Sequence, residues 1–145
     1  MRRAVLCSLA IFALVLSACT GGDLLPYTLA EESSLPPFLQ NSPHTVREAY
    51  RFAVNNSHEL ENYPCYCGCG GMGHTSNLDC YIQEIDQAGT VRFDEHAANC
   101  GICVDIAQDV MRLLRDGRSS IEIRGFIDAT YSAFGPATDT PLPQM

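Results

Sequence analysis

Cysteines occupy three alternating positions, 65, 67 and 69, in the stretch from 63 to 74. This stretch reads Tyr-Pro-Cys-Tyr-Cys-Gly-Cys-Gly-Gly-Met-Gly-His. The potential ligands in it are Cys65, Cys67, Cys69, Met72 and His74. Thiolate and thioether sulfurs are soft donors that select Cu(I) and, with fewer sulfurs, Zn(II). The glycines permit backbone turns that bring several donors toward one point. We call this stretch the cysteine-rich loop, and its composition predicts either a soft-metal site or a disulfide knot.

A second group of potential ligands follows, at Cys80, His96, Cys100 and Cys103. The Cys-x-x-Cys spacing of the last two serves zinc sites and thiol–disulfide exchange alike. A helix that starts near Asp94 would place His96, Cys100 and Cys103 on one face. A helix that starts nearer Cys100 would place the pair in its first turn, where the helix dipole favours thiolates. Both starts stay open, and so does the assignment of Cys80 to the first or the second group.

Metal preference separates the candidate functions. Closely alternating thiols are better suited to binding several monovalent ions, or one ion at low coordination, than to binding structural zinc. Structural zinc sites usually take their ligands from two Cys-x-x-Cys knuckles. We therefore favour Cu(I) over zinc. The predicted metal ligands are Cys65, Cys67, Cys69, Cys80, Cys100 and Cys103, with His74, His96 and Met72 as supplementary donors. Two alternatives remain: a thiol–disulfide exchange protein that uses Cys100 and Cys103, and an interaction module stapled by three disulfides without chemistry.

The sequence offers little for other kinds of chemistry. It contains no nucleotide-binding loop, no Gly-x-Ser-x-Gly and no His-Glu-x-x-His. The carboxylates of Asp79, Asp94 and Asp105 are scattered and form no pair at a defined spacing. We therefore predict a binding protein and not an enzyme, with thiol–disulfide oxidoreductase as the runner-up.

The N-terminus predicts the compartment. Two arginines, an apolar run and Leu16-Ser17-Ala18-Cys19 have the form of a secretory signal that ends in a lipobox. We expect cleavage before Cys19, acylation of its sulfur by a palmitate-type chain, and a lipid-anchored protein on the extracytoplasmic face of the cell membrane. The predicted organisation is a signal peptide (1–18), a flexible tether (19–43), a cysteine-rich domain (44–135) and a disordered tail (136–145).

The net charge and the redox environment limit the classes of partner that we expect. The chain holds 9 basic and 17 acidic residues, and loss of Arg2 and Arg3 with the signal leaves a formal charge of about −10. An acidic protein of this kind is not expected to bind nucleic acid. Outside the cytoplasm each thiol should be paired, metal-bound or kept reduced. We therefore expect a metal-receiving or redox partner protein.

Periodicity predicts a mainly α fold: one small domain in which an N-terminal helix and a helical hairpin surround the cysteine-rich loop. Helices are expected at 45–61 and 94–116 and from Ser119 onward, where Ser119 and Glu122 have capping-box spacing. Gly117 suits the end of the middle helix. Gly89 is a turn signal between two apolar segments, which predict two short strands or irregular lid-like segments.

The cysteine-rich loop resembles that of bacterial proteins of unknown function, many of them lipoproteins, that are named for a Pro-Cys-Tyr-Cys-Gly-Cys motif. The residues that carry the resemblance are Pro64 to Cys69, His74, Cys80, Phe93 to His96, and Cys100 to Cys103. The resemblance implies no established activity. The C-terminal hairpin is also similar to the thiol-reductase component of cytochrome c maturation, through Cys100, Cys103 and the residues that follow. It departs from that family between the cysteines, where Gly101 and Ile102 replace Pro and another residue.

Overall fold

The computed structural model describes residues 25–144 as a small, mainly helical domain, which confirms the predicted fold class. Its elements are α1 (His44–Asn55), α2 (Ser57–Leu60), β1 (Ile82–Ile85), β2 (Val91–Phe93), α3 (Gly101–Arg115) and α4 (Ser120–Tyr131). None of the helices in this part of the chain is long and apolar enough to cross a bilayer. The predicted signal, lipobox and Cys19 lie outside the described residues.

Helix α1 turns one apolar face to the interior, as its periodicity predicts. The buried residues of that face are Val46, Ala49, Tyr50, Phe52 and Ala53. The helix does not continue to the predicted end at 61, because Asn56 leaves helical geometry with φ −134° and ψ 42°. The Asn56 side-chain amide donates to the carbonyls of Phe52 and Thr28, at 2.9 and 2.7 Å. This local competition for backbone carbonyls ends the first helix and separates α1 from α2.

Helices α3 and α4 form the predicted hairpin. Gly117 adopts φ 72° just after α3, so the helix ends where the sequence predicts. Ser119 caps α4: its hydroxyl accepts from the Glu122 N–H, and the Glu122 carboxylate accepts from the Ser119 N–H. This pair is the predicted capping box. The hydroxyl of Tyr131 donates to Asp109 across the hairpin at 2.7 Å.

Strands β1 and β2 form an antiparallel hairpin with Gly89 at its turn (φ 81°). The Asp86 carboxylate accepts from two backbone N–H groups of that turn. Past the open end of the hairpin, the Asp94 N–H donates to the Tyr81 carbonyl at 2.8 Å. The hairpin therefore brings the segment that ends at Cys80 next to the segment that carries His96.

The segment predicted as a flexible tether packs on the domain from Tyr27 onward. Tyr27 is buried, and its ring lies edge-on to Phe52 with centroids 5.1 Å apart. Leu39 is fully buried, and the Ala30 N–H donates to the Arg51 carbonyl at 3.1 Å. The prediction of a tether over 19–43 therefore does not hold for residues 27–43. Prolines and short polar runs remove helical periodicity there, but they do not prevent burial of single apolar residues.

The predicted disorder of the C-terminal tail does not hold for residues 136–144. The Cys65 N–H donates to the hydroxyl of Thr138 at 2.9 Å, and the Thr138 N–H donates to the Cys65 carbonyl at 3.0 Å. Thr140 donates to the Thr75 carbonyl at 2.5 Å, and Arg124 donates to the Thr140 carbonyl. The tail is irregular, yet these bonds fix it against both ends of the cysteine-rich loop.

Candidate metal centre

Two glycines give the cysteine-rich loop its reversals. Gly68 (φ 85°) and Gly73 (φ 94°) adopt left-handed conformations on either side of a short 3-10 turn at Cys69–Met72. Any other residue would be strained at these positions, because a Cβ atom disfavours positive φ. The reversals bring the sulfur atoms of Cys65, Cys67 and Cys69 within 4.8 Å of one another.

The start of α3 provides the second group of sulfurs. Cys100 is the N-cap residue and Cys103 lies in the first turn, so the later of the two predicted starts is correct. The earlier start at Asp94 is wrong, since 97–99 forms a separate 3-10 turn and Cys100 is extended (φ −127°). The Cys103 carbonyl accepts from the Tyr81 hydroxyl at 2.7 Å, which fixes the turn.

The sulfur atoms of the two groups meet. Cys65 Sγ lies 3.4 Å from Cys103 Sγ and 3.3 Å from Cys67 Sγ. The sulfurs of Cys67 and Cys103 are 3.7 Å apart, as are those of Cys69 and Cys80. Two thiolates bound at about 2.3 Å to one tetrahedral ion lie roughly 3.7 Å apart. The observed separations are thus compatible with shared metal ligation.

Two imidazoles complete the cluster. Nε2 of His96 lies 3.2 Å from Cys67 Sγ, and Nδ1 of His74 lies 3.5 Å from Cys80 Sγ. The two rings are edge-on with centroids 5.4 Å apart. Cys80, which the sequence left unassigned, contacts Cys69 of the loop and also groups with Cys103 of α3. It therefore belongs to both groups of cysteines.

Four overlapping sets of side chains could each hold a metal ion, with all donor atoms of a set within 4.8 Å of one another. They are Cys67, His96, Cys100 and Cys103; Cys65, Cys67 and Cys69; Cys65, Cys80 and Cys103; and Cys69, Cys80 and His96. All six predicted cysteines and one predicted histidine occur in these sets. The six cysteines of the described residues are free thiols.

A family model for proteins of unknown function with a PCYCGC motif matches residues 12–143. The chain belongs to the PCYCGC family. This membership confirms the resemblance that the cysteine-rich loop suggested, and it extends over nearly the whole sequence. No curated protein and no solved structure matches the chain.

The thiols of this PCYCGC centre shift one another's pKa in opposite directions. A hydrogen bond from Cys103 is the main reason that the pKa of Cys65 falls far below that of an ordinary thiol. A hydrogen bond from Cys80 lowers the pKa of Cys69 to about 7. The bond to Cys65 raises the pKa of Cys103, and burial raises the pKa of Cys67. Protonation is thus favoured at Cys67 and Cys103 in the metal-free centre, and a bound cation would displace those protons.

The residues that position the ligands were not among the predicted site residues. Asp94 accepts from the His96 N–H at 2.7 Å through Oδ1, while its Oδ2 lies 4.0 Å from His74 Nε2. The buried hydroxyl of Tyr50 donates to the Asp94 carbonyl at 2.6 Å and accepts from the Ala98 N–H at 3.1 Å. The Asp-x-His spacing could have revealed Asp94, because an Asp side chain commonly accepts from the N–H two residues on. No sequence signal indicates that Tyr50 supports Asp94, because the two residues lie 44 positions apart.

A cleft of about 470 Å³ opens on one side of the centre. Met72, His74, His96 and Cys100 line it together with the carboxylates of Asp94 and Glu95. Met72 is 61 % exposed at the rim and belongs to none of the four ligand sets. The cleft is thus the side of the centre from which solvent or a partner can reach potential ligands.

Proposed function

We propose that the protein binds Cu(I) on the extracytoplasmic face of the cell membrane and passes it to a partner protein. The observation that carries the proposal is the meeting of six cysteine sulfurs and two imidazoles in one centre, where the ligand sets overlap. Packing alone does not require such overlap. A buried cysteine that only fills space acts as a small apolar residue and needs no sulfur neighbours.

The same arrangement argues against the disulfide-stapled module. Staples stabilise a small domain by joining distant parts of the chain in separate pairs. Here Cys65 contacts the sulfurs of both Cys67 and Cys103, and Cys67 also contacts Cys103. Sulfurs with several neighbours each are typical of ligands around metal ions, and they give no unique set of pairs.

The donor types favour copper over zinc. Six thiols with two imidazoles form a mainly sulfur environment, and four of the thiols are buried: Cys65, Cys69, Cys80 and Cys103. Soft, water-excluded thiolates select Cu(I), whose low coordination number suits sets of three donors. Zinc remains the alternative metal, because the set of Cys67, His96, Cys100 and Cys103 has the four-ligand composition of a structural zinc site.

The cleft supports delivery as well as storage. Cys67 and Cys100 are half-buried, while the other four cysteines of the centre are buried. An incoming thiol or thioether can therefore compete first for the ion held by Cys67, His96 and Cys100. The carboxylates of Asp94 and Glu95 beside the cleft attract a cation or a basic partner surface. The lipobox at Leu16 to Cys19 supports a membrane anchor that keeps the domain at the site of exchange.

A Cu(I) titration of the full chain under anaerobic conditions tests this function. Thiolate-to-copper charge transfer should develop in the ultraviolet, and the protein should retain copper against a competing chelator. The variant Cys67→Ser should lose affinity. His58→Ala should not, because His58 is exposed beside Glu59 and belongs to none of the four ligand sets. Copper binding that is unchanged by Cys67→Ser would exclude this centre as the site.

Thiol–disulfide exchange remains the second candidate, and one observation favours it. Cys100 is a half-buried N-cap residue and Cys103 is buried in the first turn of α3, which is a common arrangement of redox-active pairs. This function predicts a reversible disulfide between Cys100 and Cys103 alone, with no bound metal. A redox titration read by mass mapping of the two residues distinguishes it from copper binding.

A further inference from the structure

We propose that the centre is polynuclear, with at least two Cu(I) ions bridged by cysteine thiolates. This inference rests on the proposed copper-binding function. Its basis is that nearly every donor belongs to two of the four ligand sets. A single ion uses one set and leaves the other donors idle, whereas bridging lets each sulfur serve two sets at once.

The sharing is selective. Cys65, Cys67, Cys69, Cys80, Cys103 and His96 each occur in two sets, whereas Cys100 occurs in one. A thiolate sulfur has several lone pairs and can bridge two ions, but an imidazole nitrogen has one lone pair and binds one ion. The geometry therefore assigns the five shared cysteines as bridging ligands, with Cys100 and His96 as terminal ligands.

Depth in the protein separates two positions. The set of Cys65, Cys80 and Cys103 is fully buried, with each of the three residues at 0 % exposure. The set of Cys67, His96, Cys100 and Cys103 borders the cleft. Cys103 is common to both, so its sulfur would join an inner ion to an outer ion. Of the two, the outer ion is the one that a partner can reach.

Charge balance allows the buried centre to hold more than one ion. A buried thiolate is costly unless a cation or hydrogen bonds compensate it. Each further ion can displace a proton from a thiol to solvent and form a copper–sulfur bond, with no change in oxidation state. Each ion and the thiolate charge that it neutralises add no net charge to the buried centre, so burial does not limit the centre to one ion.

X-ray absorption at the copper edge, with native mass spectrometry of the anaerobically loaded full chain, tests the inference. We expect two or more ions per chain, a sulfur-dominated first shell and a copper–copper scattering shell. One ion per chain without a copper–copper shell would overturn the polynuclear centre while leaving the copper-binding function intact. Absence of tight copper binding would overturn both.

A pair of variants locates the ions. Cys80 lies outside the set of Cys67, His96, Cys100 and Cys103, so Cys80→Ser would leave a single ion in that set undisturbed. A bridged cluster instead predicts that Cys80→Ser lowers the copper stoichiometry. Cys100→Ser should remove only the outer ion and leave at least one behind. Unchanged stoichiometry in a folded Cys80→Ser protein contradicts the cluster; if that variant fails to fold, the copper–copper shell of the unmodified protein decides.

Discussion

Cys67 Sγ lies 3.2 Å from Nε2 of His96, although 29 residues separate the two along the chain. This contact joins the cysteine-rich loop to the turn that precedes α3. It is formed because the β1–β2 hairpin closes the intervening segment, with the Asp94 N–H donating to the Tyr81 carbonyl. The contact defines the side of the centre nearest the cleft.

His96→Ala should weaken Cu(I) binding. Outer-shell partners alone change metal affinity by about 10–100-fold, so loss of a direct ligand should cost at least about that much. Chelator competition measures the affinity. His58→Ala is the matched control and should bind copper normally, since His58 is exposed. Equal affinities of the two variants would remove His96 from the ligand set.

Tyr50→Phe should loosen the turn that carries His96. The substitution removes the bonds from Tyr50 to the Asp94 carbonyl and from the Ala98 N–H. We expect the free energy of unfolding to fall by about 1–3 kcal/mol in urea titrations, since buried backbone groups lose their partner. Copper affinity should fall by up to about tenfold.

Tyr27→Phe provides the control for that variant. The Tyr27 hydroxyl accepts from Arg115 at 2.9 Å, and Arg115 is not a residue of the centre. Tyr27→Phe should lower the free energy of unfolding by about 1 kcal/mol and leave copper affinity unchanged. If both tyrosine variants bind copper as the unmodified protein does, Tyr50 supports the fold without positioning His96.

Copper affinity should increase with pH. Hydrogen bonds to Cys103 and Cys65 raise the pKa of Cys80, and the pKa values of Cys67 and Cys103 are raised as well. These thiols are protonated near neutral pH in the metal-free protein, so each copper–sulfur bond that they form releases a proton. Lower pH therefore opposes binding. Calorimetric titrations in buffers of different ionisation enthalpy, between about pH 6 and pH 8, should show net proton release; pH-independent affinity would contradict it.

Thr138→Val should destabilise the cysteine-rich loop. The Thr138 hydroxyl accepts from the Cys65 N–H, and both groups are buried. Valine has a similar shape but cannot accept, so the unpartnered N–H should cost about 1–3 kcal/mol of unfolding free energy. Thr130→Val, at an exposed position of α4, should change stability by less than about 0.5 kcal/mol. Equal effects would show that the tail does not secure the loop.

Local patterns predicted much of the fold. The apolar face of α1, the Ser119 capping box and Gly117 all act within a few residues, so the sequence shows them directly. The break at Asn56 was missed because its cause is partly remote: the side chain also bonds the Thr28 carbonyl. The burial of Tyr27 and of Thr138 is also not apparent from the sequence, because neither segment has a periodic pattern.

The ligand types could be read from the sequence, but their connections could not. The alternating cysteines and Gly68 predict that Cys65, Cys67 and Cys69 lie close together. The assignment of Cys80 depends on where a β-hairpin returns the chain, which residue spacing does not determine. The overlap of ligand sets likewise depends on the approach of α3 to the loop, and only the three-dimensional structure shows it.

Copper binding is tested most directly by the metal content of the full chain purified anaerobically from copper-supplied cells, together with the alkylation state of its cysteines. We expect bound copper, with Cys65, Cys67, Cys69, Cys80, Cys100 and Cys103 protected from alkylation until a chelator removes the metal. A metal-free protein in which mass mapping finds these cysteines paired as stable disulfides would contradict it.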